Sequence, residues 1–292
     1  MILRILLTLL CLNLLSCGGP SSPATDTAAT APSTESTAPK EAKRPAKQRP
    51  SNSASAHFAS NVQAIGPAMT AKQELMQKDL QQLGQAITDN EFLGYYTGAF
   101  GPNQITLILA EQQGEEIRGY SVCAGNYRPL TGRITKQNPG EAYTMELAEP
   151  GDDPYDGTFT FTITPAKQQL NGEWKPFRTK GNTARSYTLK SKKFSYQPRV
   201  GRWPEASQRL LTEEDVWNYD AEELRLMRNE IYARHGYSFK IKDMRYYFED
   251  QDWYMPVTTD IRRDLTTTEV ANIELIYEYE TYYEEYYDEF GR

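Results

Sequence analysis

The chain has 292 residues, 39% of them apolar and 24% charged, so about two domains with modest cores are allowed. Thirty-two basic residues against 39 acidic ones leave a formal charge of −7, which excludes a broad basic nucleic-acid surface. Of three cysteines, Cys11 and Cys17 lie at the extreme N-terminus, so a chain beginning at Cys17 has only Cys123 besides and no internal disulfide framework.

Met1 to Arg4 carry one positive side-chain charge, and residues 5–15 are apolar apart from Thr8 and Asn13. A helix of about 11 residues spans roughly 16 Å, too short for a hydrocarbon core of about 30 Å. The run ends in Leu14-Leu15-Ser16-Cys17, which resembles the bacterial lipobox. That resemblance implies a signal peptide over 1–16, cleavage between Ser16 and Cys17, and acyl chains on the Cys17 thiol that anchor the protein to a membrane. Gly18 at the next position resembles lipoproteins sent to an outer membrane, facing periplasm or exterior.

Residues 17–70 read as a lipidated, disordered tether. Of the 53 residues after Cys17, 33 are Ala, Ser, Thr or Pro, too few large apolar groups to offset chain entropy. Lys40, Lys43, Arg44, Lys47 and Arg49 make its middle basic, either as a solvated linker or as a contact for anionic lipid or cell-wall polymer. A helix is expected over 71–90, with Met76, Leu80, Leu83 and Ile87 spaced four, three and four apart. Its expected role is to pack on the domain that follows.

Over 91–196 the period becomes two. Phe159, Phe161 and Ile163 alternate with threonines; Tyr143, Met145 and Leu147 form a second set and Ile105, Leu107 and Leu109 a third. Further strands are expected at 94–100, 116–122, 127–135, 169–174 and 185–192. Turn signals such as Gly101-Pro102-Asn103, Gly125-Asn126 and Asn171-Gly172 separate the candidates. About eight short strands predict an antiparallel barrel or sandwich with one face buried and one wet. The loop 149–157 holds four carboxylates, but Pro154 and Ile163 stand where a calcium loop needs oxygen ligands, so an acidic hairpin loop is expected. Cys123, beside a turn, reads as a half-buried small apolar residue.

After a connector over 197–210 the period returns to helical. Leu224, Met227, Ile231 and Tyr232 line one face of a helix capped by Asp220, and Gly236 ends it. A second helix is expected over 242–249 and a third from Thr267. The region 211–280 carries the string Tyr232-Ala233-Arg234-His235-Gly236 unbroken, with Leu226-Met227-Arg228-Asn229-Glu230-Ile231 before it and Tyr247-Phe248 and Trp253-Tyr254 after. On these motifs it resembles the YARHG domain family. The resemblance implies a small extracytoplasmic bacterial module without an established activity. Arg and His suit a helix C-terminus, so the string is expected to serve the fold first, with ligand binding second and catalysis last. The acidic, Tyr-rich tail over 281–292 is expected to be either the solvated end of the third helix or a surface for a cationic partner.

No nucleophile elbow, zinc motif, phosphate loop or dinucleotide fingerprint is present, so no cofactor or metal is expected. The expectation is a non-enzymatic envelope lipoprotein, a binding or scaffolding module whose β domain takes a small apolar ligand inside a barrel, a cell-wall polymer or an envelope protein. A carboxylate-dependent hydrolase acting on cell-wall or other glycans is the alternative.

Overall fold

The computed structural model describes residues 91–286, apart from 139, 180 and 182. The signal segment, Cys17, the tether and the expected helix over 71–90 lie outside the described residues.

Eight strands follow in chain order: β1 (Gly94–Phe100), β2 (Asn103–Gln113), β3 (Glu116–Cys123), β4 (Asn126–Asn138), β5 (Ala142–Ala148), β6 (Gly157–Thr164), β7 (Gln169–Pro176) and β8 (Arg185–Ser191). Each pairs antiparallel with the next, and β1 pairs with β8 through Tyr96–Ser191 and Thr97–Lys190. The sheet is therefore a closed barrel, and the sandwich alternative falls away. Closure leaves no sheet edge to protect. Register shifts in the β2–β3 and β4–β5 ladders supply the bends that closure needs.

The alternating side chains Leu107, Leu109, Ile117, Leu130, Met145, Leu147, Phe161, Ile163, Leu170 and Leu189 meet inside the barrel. Phe100, Phe159, Trp174 and Tyr187 fill one end, with ring centroids 5.7–6.4 Å apart. Strands β5 to β8 follow the expected pattern of one buried and one wet face. Strand β2 departs from it, because Ile105 through Ala110 are buried on both faces.

The helical region holds α1 (Glu205–Gln208), α2 (Glu213–Val216), α3 (Ala221–Arg234), α4 (Lys242–Glu249) and α5 (Thr267–Tyr286). The Asp220 carboxylate accepts from the Glu223 N–H at 2.8 Å, so α3 starts where its cap residue stands. Helices α3 and α5 pack together around Leu224, Met227, Ile231, Ile273 and Ile276. Helix α5 continues through the start of the expected tail as far as Tyr286. There the Tyr283 hydroxyl donates to the Trp217 carbonyl at 2.6 Å. The helical region touches the barrel where the Gly125 N–H donates to Ser238 Oγ at 3.0 Å and the Lys192 ammonium donates to the Asp252 carbonyl at 3.0 Å.

Candidate functional site

The pentapeptide string lies in the last turn of α3, and the structure turns its polar atoms inward. Arg234 is buried, and its fork donates from Nε to the Val200 carbonyl at 3.0 Å, from Nη1 to Ser207 Oγ at 2.9 Å and from Nη2 to the Trp203 carbonyl at 2.8 Å. The same Nη2 pairs with the Glu230 carboxylate one turn back. Glu230 in turn accepts from the backbone N–H groups of Arg202 and Trp203, each at 2.8 Å. Gly201 passes so close that a Cβ there would lie 2.3 Å from Glu230 Cδ. Arg234 and Glu230 thus hold the segment 200–203 by its carbonyls and its amides at once. Burial pushes the Glu230 carboxyl up and the Arg234 guanidinium down; the Arg202 and Trp203 N–H groups and the Arg234 charge act against the first shift, and the Glu230 charge acts against the second.

His235 is the helix C-cap, and its Nε2 lies 2.9 Å from Glu269 Oε2. Its ring stacks on Tyr196 with centroids 4.3 Å apart and planes 16° apart. Glu269 stands at the head of α5, where it and Thr266 form a reciprocal capping box: the Thr266 N–H donates to Glu269 Oε2 at 2.9 Å and Thr266 Oγ1 accepts from the Glu269 N–H at 3.2 Å. The other oxygen of Glu269 accepts from Tyr196 at 2.9 Å and from Ser207 at 2.7 Å. The Ser207 hydroxyl gives its proton to a carboxylate and receives an Arg234 bond. It is not presented to the imidazole as a nucleophile.

Two more buried polar groups complete the packing of α5. Asn272 accepts from the Leu211 N–H at 2.8 Å and donates to the carbonyls of Ala206 and Arg209 at 2.8 and 2.7 Å. Glu280 takes a two-bond fork from Arg228, at 2.8 and 2.9 Å. Sequence reasoning missed Glu269, Asn272 and Glu280 as interior residues. The signal was their spacing: Glu269, Asn272, Ile273, Ile276 and Glu280 share one helical face.

Burial works against the charge on Glu269, but bonds from His235, the Thr266 N–H and Ser207 hold its carboxyl down to about 2, against an ordinary 4.5. A depressed folded-state pKa gives stability that is full above about pH 4.5 and disappears as pH falls toward 2. Substituting His235→Gln removes the stacked ring and the bond from Nε2, and is expected to cost about 1–2 kcal/mol at neutral pH. Urea unfolding at a series of pH values checks this. The gap between native and variant proteins should be full near pH 7 and close as pH falls below about 4.5.

A second polar cluster seals one end of the barrel. Glu149, just after β5, accepts from Ser121 Oγ at 2.7 Å, the Gly157 N–H at 2.8 Å and the Trp174 indole at 3.3 Å. Arg128 Nε lies 2.9 Å from Asp156 Oδ1, and Asp156 Oδ2 accepts from the Gly151 and Asp153 N–H groups at 2.9 and 3.1 Å. Burial pushes the Glu149 carboxyl up, and its hydrogen bonds act against that rise. The acidic loop is therefore an internally bonded hairpin. Among the described residues no group of three His, Cys, Asp or Glu is placed to hold a metal. Burial, and then the neighbouring Glu249 charge, push the Cys123 thiol up to about 12, so it is not a thiolate at neutral pH.

An open cleft of about 560 Å³ lies where α4 meets the β1–β2 turn, lined by Gly98, Asn103, Gln104, Tyr246, Glu249 and Asp250. Burial pushes the Glu249 carboxyl up to about 7, opposed by the Gln104 backbone N–H and by Arg245. No helix among the described residues is long and apolar enough to cross a membrane. Residues 202–281 match the YARHG domain family, a span that begins at the segment held by Glu230 and Arg234. Comparison with curated proteins and with solved structures found no match.

Proposed function

We propose, from the YARHG domain at residues 202–281, that the protein is a non-enzymatic lipoprotein of the bacterial envelope that binds or scaffolds an envelope partner. Lipid on Cys17 would hold it at a membrane, and the tether would carry the barrel and the helical domain away from the lipid. One observation carries the non-catalytic reading: the residues of the string best suited to chemistry, Arg234 and His235, are buried and spend their bonds on the protein's own loops. The cleft at the foot of α4 has acceptor groups and an exposed aromatic ring from two domains, which suits a polar partner better than the side-chain-filled barrel suits an apolar ligand. The alternative, a carboxylate-dependent glycan hydrolase, needs two carboxylates facing an open groove. Glu149 and Asp156 are buried and bonded within the protein, which leaves Glu249 and Asp250 of the open cleft as the pair that this alternative would have to use.

The test of anchoring is membrane fractionation of the full chain and of Cys17→Ser. The native protein is expected in the membrane fraction with the mass of acyl chains, and the variant in the soluble fraction or as unprocessed precursor. Equal fractionation and equal processing would contradict the anchor. For the non-catalytic reading, cell-wall glycan incubated with the native protein is expected to remain uncut. Cleavage that is lost in Glu249→Gln would reverse it.

A further inference from the structure

The helical domain carries its charge unevenly. Residues 210–224 and 267–286 together hold twelve Asp or Glu and no Lys, Arg or His. Arg202, Arg209 and Arg228 reach in from outside these stretches and pair with Glu223, Asp215 and Glu280, one carboxylate each. His235 meets a fourth, Glu269. The balance stays strongly negative. The last turn of α5 has no basic residue, although the carbonyls at a helix C-terminus already make that end negative.

Beside these charges lies apolar surface. Trp217, just after α2, is 43% exposed, and Leu210 is 62% exposed. Arg209 holds Leu210 next to α2, donating to the Leu210 carbonyl at 3.1 Å and to the Asp215 carboxylate at 2.7 Å. Two bonds join α2 to the last turns of α5. The Tyr283 hydroxyl donates to the Trp217 carbonyl at 2.6 Å, and the Tyr279 hydroxyl bonds to the Glu213 carboxylate. The Tyr283 ring lies 5.7 Å from that of Tyr282 and 6.5 Å from that of Tyr279. Glu213 and Glu214 are both exposed. The face is thus a group of aromatic rings rimmed by carboxylates.

We infer that this face docks an arginine-rich segment of a partner polypeptide. Charge complementarity and ring chemistry select that occupant. The negative balance turns away anionic lipid and nucleic acid. Among the described residues no three acidic groups are placed to hold a metal ion. A guanidinium satisfies both parts of the face at once, because it stacks on an aromatic ring and donates its fork to a carboxylate. The domain already uses that chemistry internally: Arg228 lies 5.6 Å from the Tyr277 ring while its fork holds Glu280. A segment with several arginines repeats it along Trp217, Tyr282 and the Glu213–Glu214 edge. The face is built from α2 and α5 and shares no residue with the cleft at α4. The inference therefore goes beyond the binding role proposed for that cleft and stands whether or not the cleft is occupied.

Fluorescence anisotropy of a labelled peptide of alternating Arg and Gly, titrated with the full chain at low salt, tests the proposal. The native protein should bind it, and should not bind the matching Glu-Gly peptide. Trp217→Ala and, separately, Glu213→Gln/Glu214→Gln should each weaken binding by at least about fivefold. The glutamines keep an acceptor for Tyr279, so the test survives if Trp217→Ala fails to fold. Glu141→Gln/Glu146→Gln removes the same charge from exposed positions on the barrel and should change affinity by less than about twofold. Raising salt from about 50 to about 300 mM should weaken the native complex more than that of the Glu213→Gln/Glu214→Gln variant. No binding by the native protein, native-like binding by the Glu213→Gln/Glu214→Gln variant, or equal loss from the barrel pair would overturn the proposal. A dimer that forms without peptide and is lost in Trp217→Ala would also overturn it, by giving the face to a second copy.

Discussion

Substituting Arg234→Met is expected to destabilise the helical domain by about 3–5 kcal/mol, the usual cost of removing one partner from a buried ion pair. The reason lies in what remains. Glu230 keeps its buried charge without a counter-ion, and the carbonyls of Val200 and Trp203 and the hydroxyl of Ser207 each lose a donor. Burial already pushes both charges of the pair toward neutrality, so no reserve of favourable solvation takes up the loss. Substituting Arg234→Lys keeps the charge but not the planar fork, and one ammonium cannot reach partners spread over three sides. It should recover only part of the stability. Chemical denaturation followed by far-ultraviolet circular dichroism checks both, with the barrel transition as an internal reference.

Substituting Gly236→Val is expected to cost about 2–5 kcal/mol. Gly236 has φ = +74°, and a β-branched residue in that left-handed region costs about 1–2 kcal/mol. The second contribution is steric. A Cβ at this position would lie 2.4 Å from Val257 Cγ2 and 2.8 Å from the Phe194 ring. Relieving such overpacking costs about 1–3 kcal/mol more. The two contributions separate experimentally. Gly236→Ala combined with Val257→Ala should recover the part of the steric share due to Val257 and leave the Phe194 contact and the conformational share. A double variant no more stable than Gly236→Ala alone would mean that the close approach to Val257 does not contribute. The glycine also matters for the next segment, since its carbonyl accepts from the N–H groups of Val257 and Thr258 at 2.8 and 3.1 Å.

The strands were legible because alternation is a local property. Phe159, Phe161 and Ile163 announce a half-buried strand without reference to any neighbour, and turn residues mark its ends. The Lys242–Glu249 helix was legible for the same reason, as was the start of α3 at its Asp220 cap. Whether the eight strands close could not be read, because β1 and β8 meet only through the whole intervening chain. The candidate site was legible as a string but not as a clamp. His235 reads naturally as a helix-dipole partner, while its actual partner, Glu269, lies 34 residues away. Glu230 reads from the sequence as an ion-pair or hydrogen-bond partner for a neighbouring loop, which it is, whereas Glu269, Asn272 and Glu280 gave no sign of burial by type, although their spacing put them on an apolar face. The continuous run Ile105 to Ala110 carried one unused signal: a strand apolar on both sides needs a cover on both.

Arg234 of the string and Glu230 one turn before it hold the segment 200–203 in place as one coupled pair. A double-mutant cycle with Glu230→Gln and Arg234→Met, read as unfolding free energies, tests it most directly. The coupled clamp predicts that the double variant is more stable than the sum of the two losses by about 1.5–3 kcal/mol, since each single variant strands the other's buried group. Losses that add to within about 0.5 kcal/mol would contradict it, and would mean that the two residues act on the fold independently.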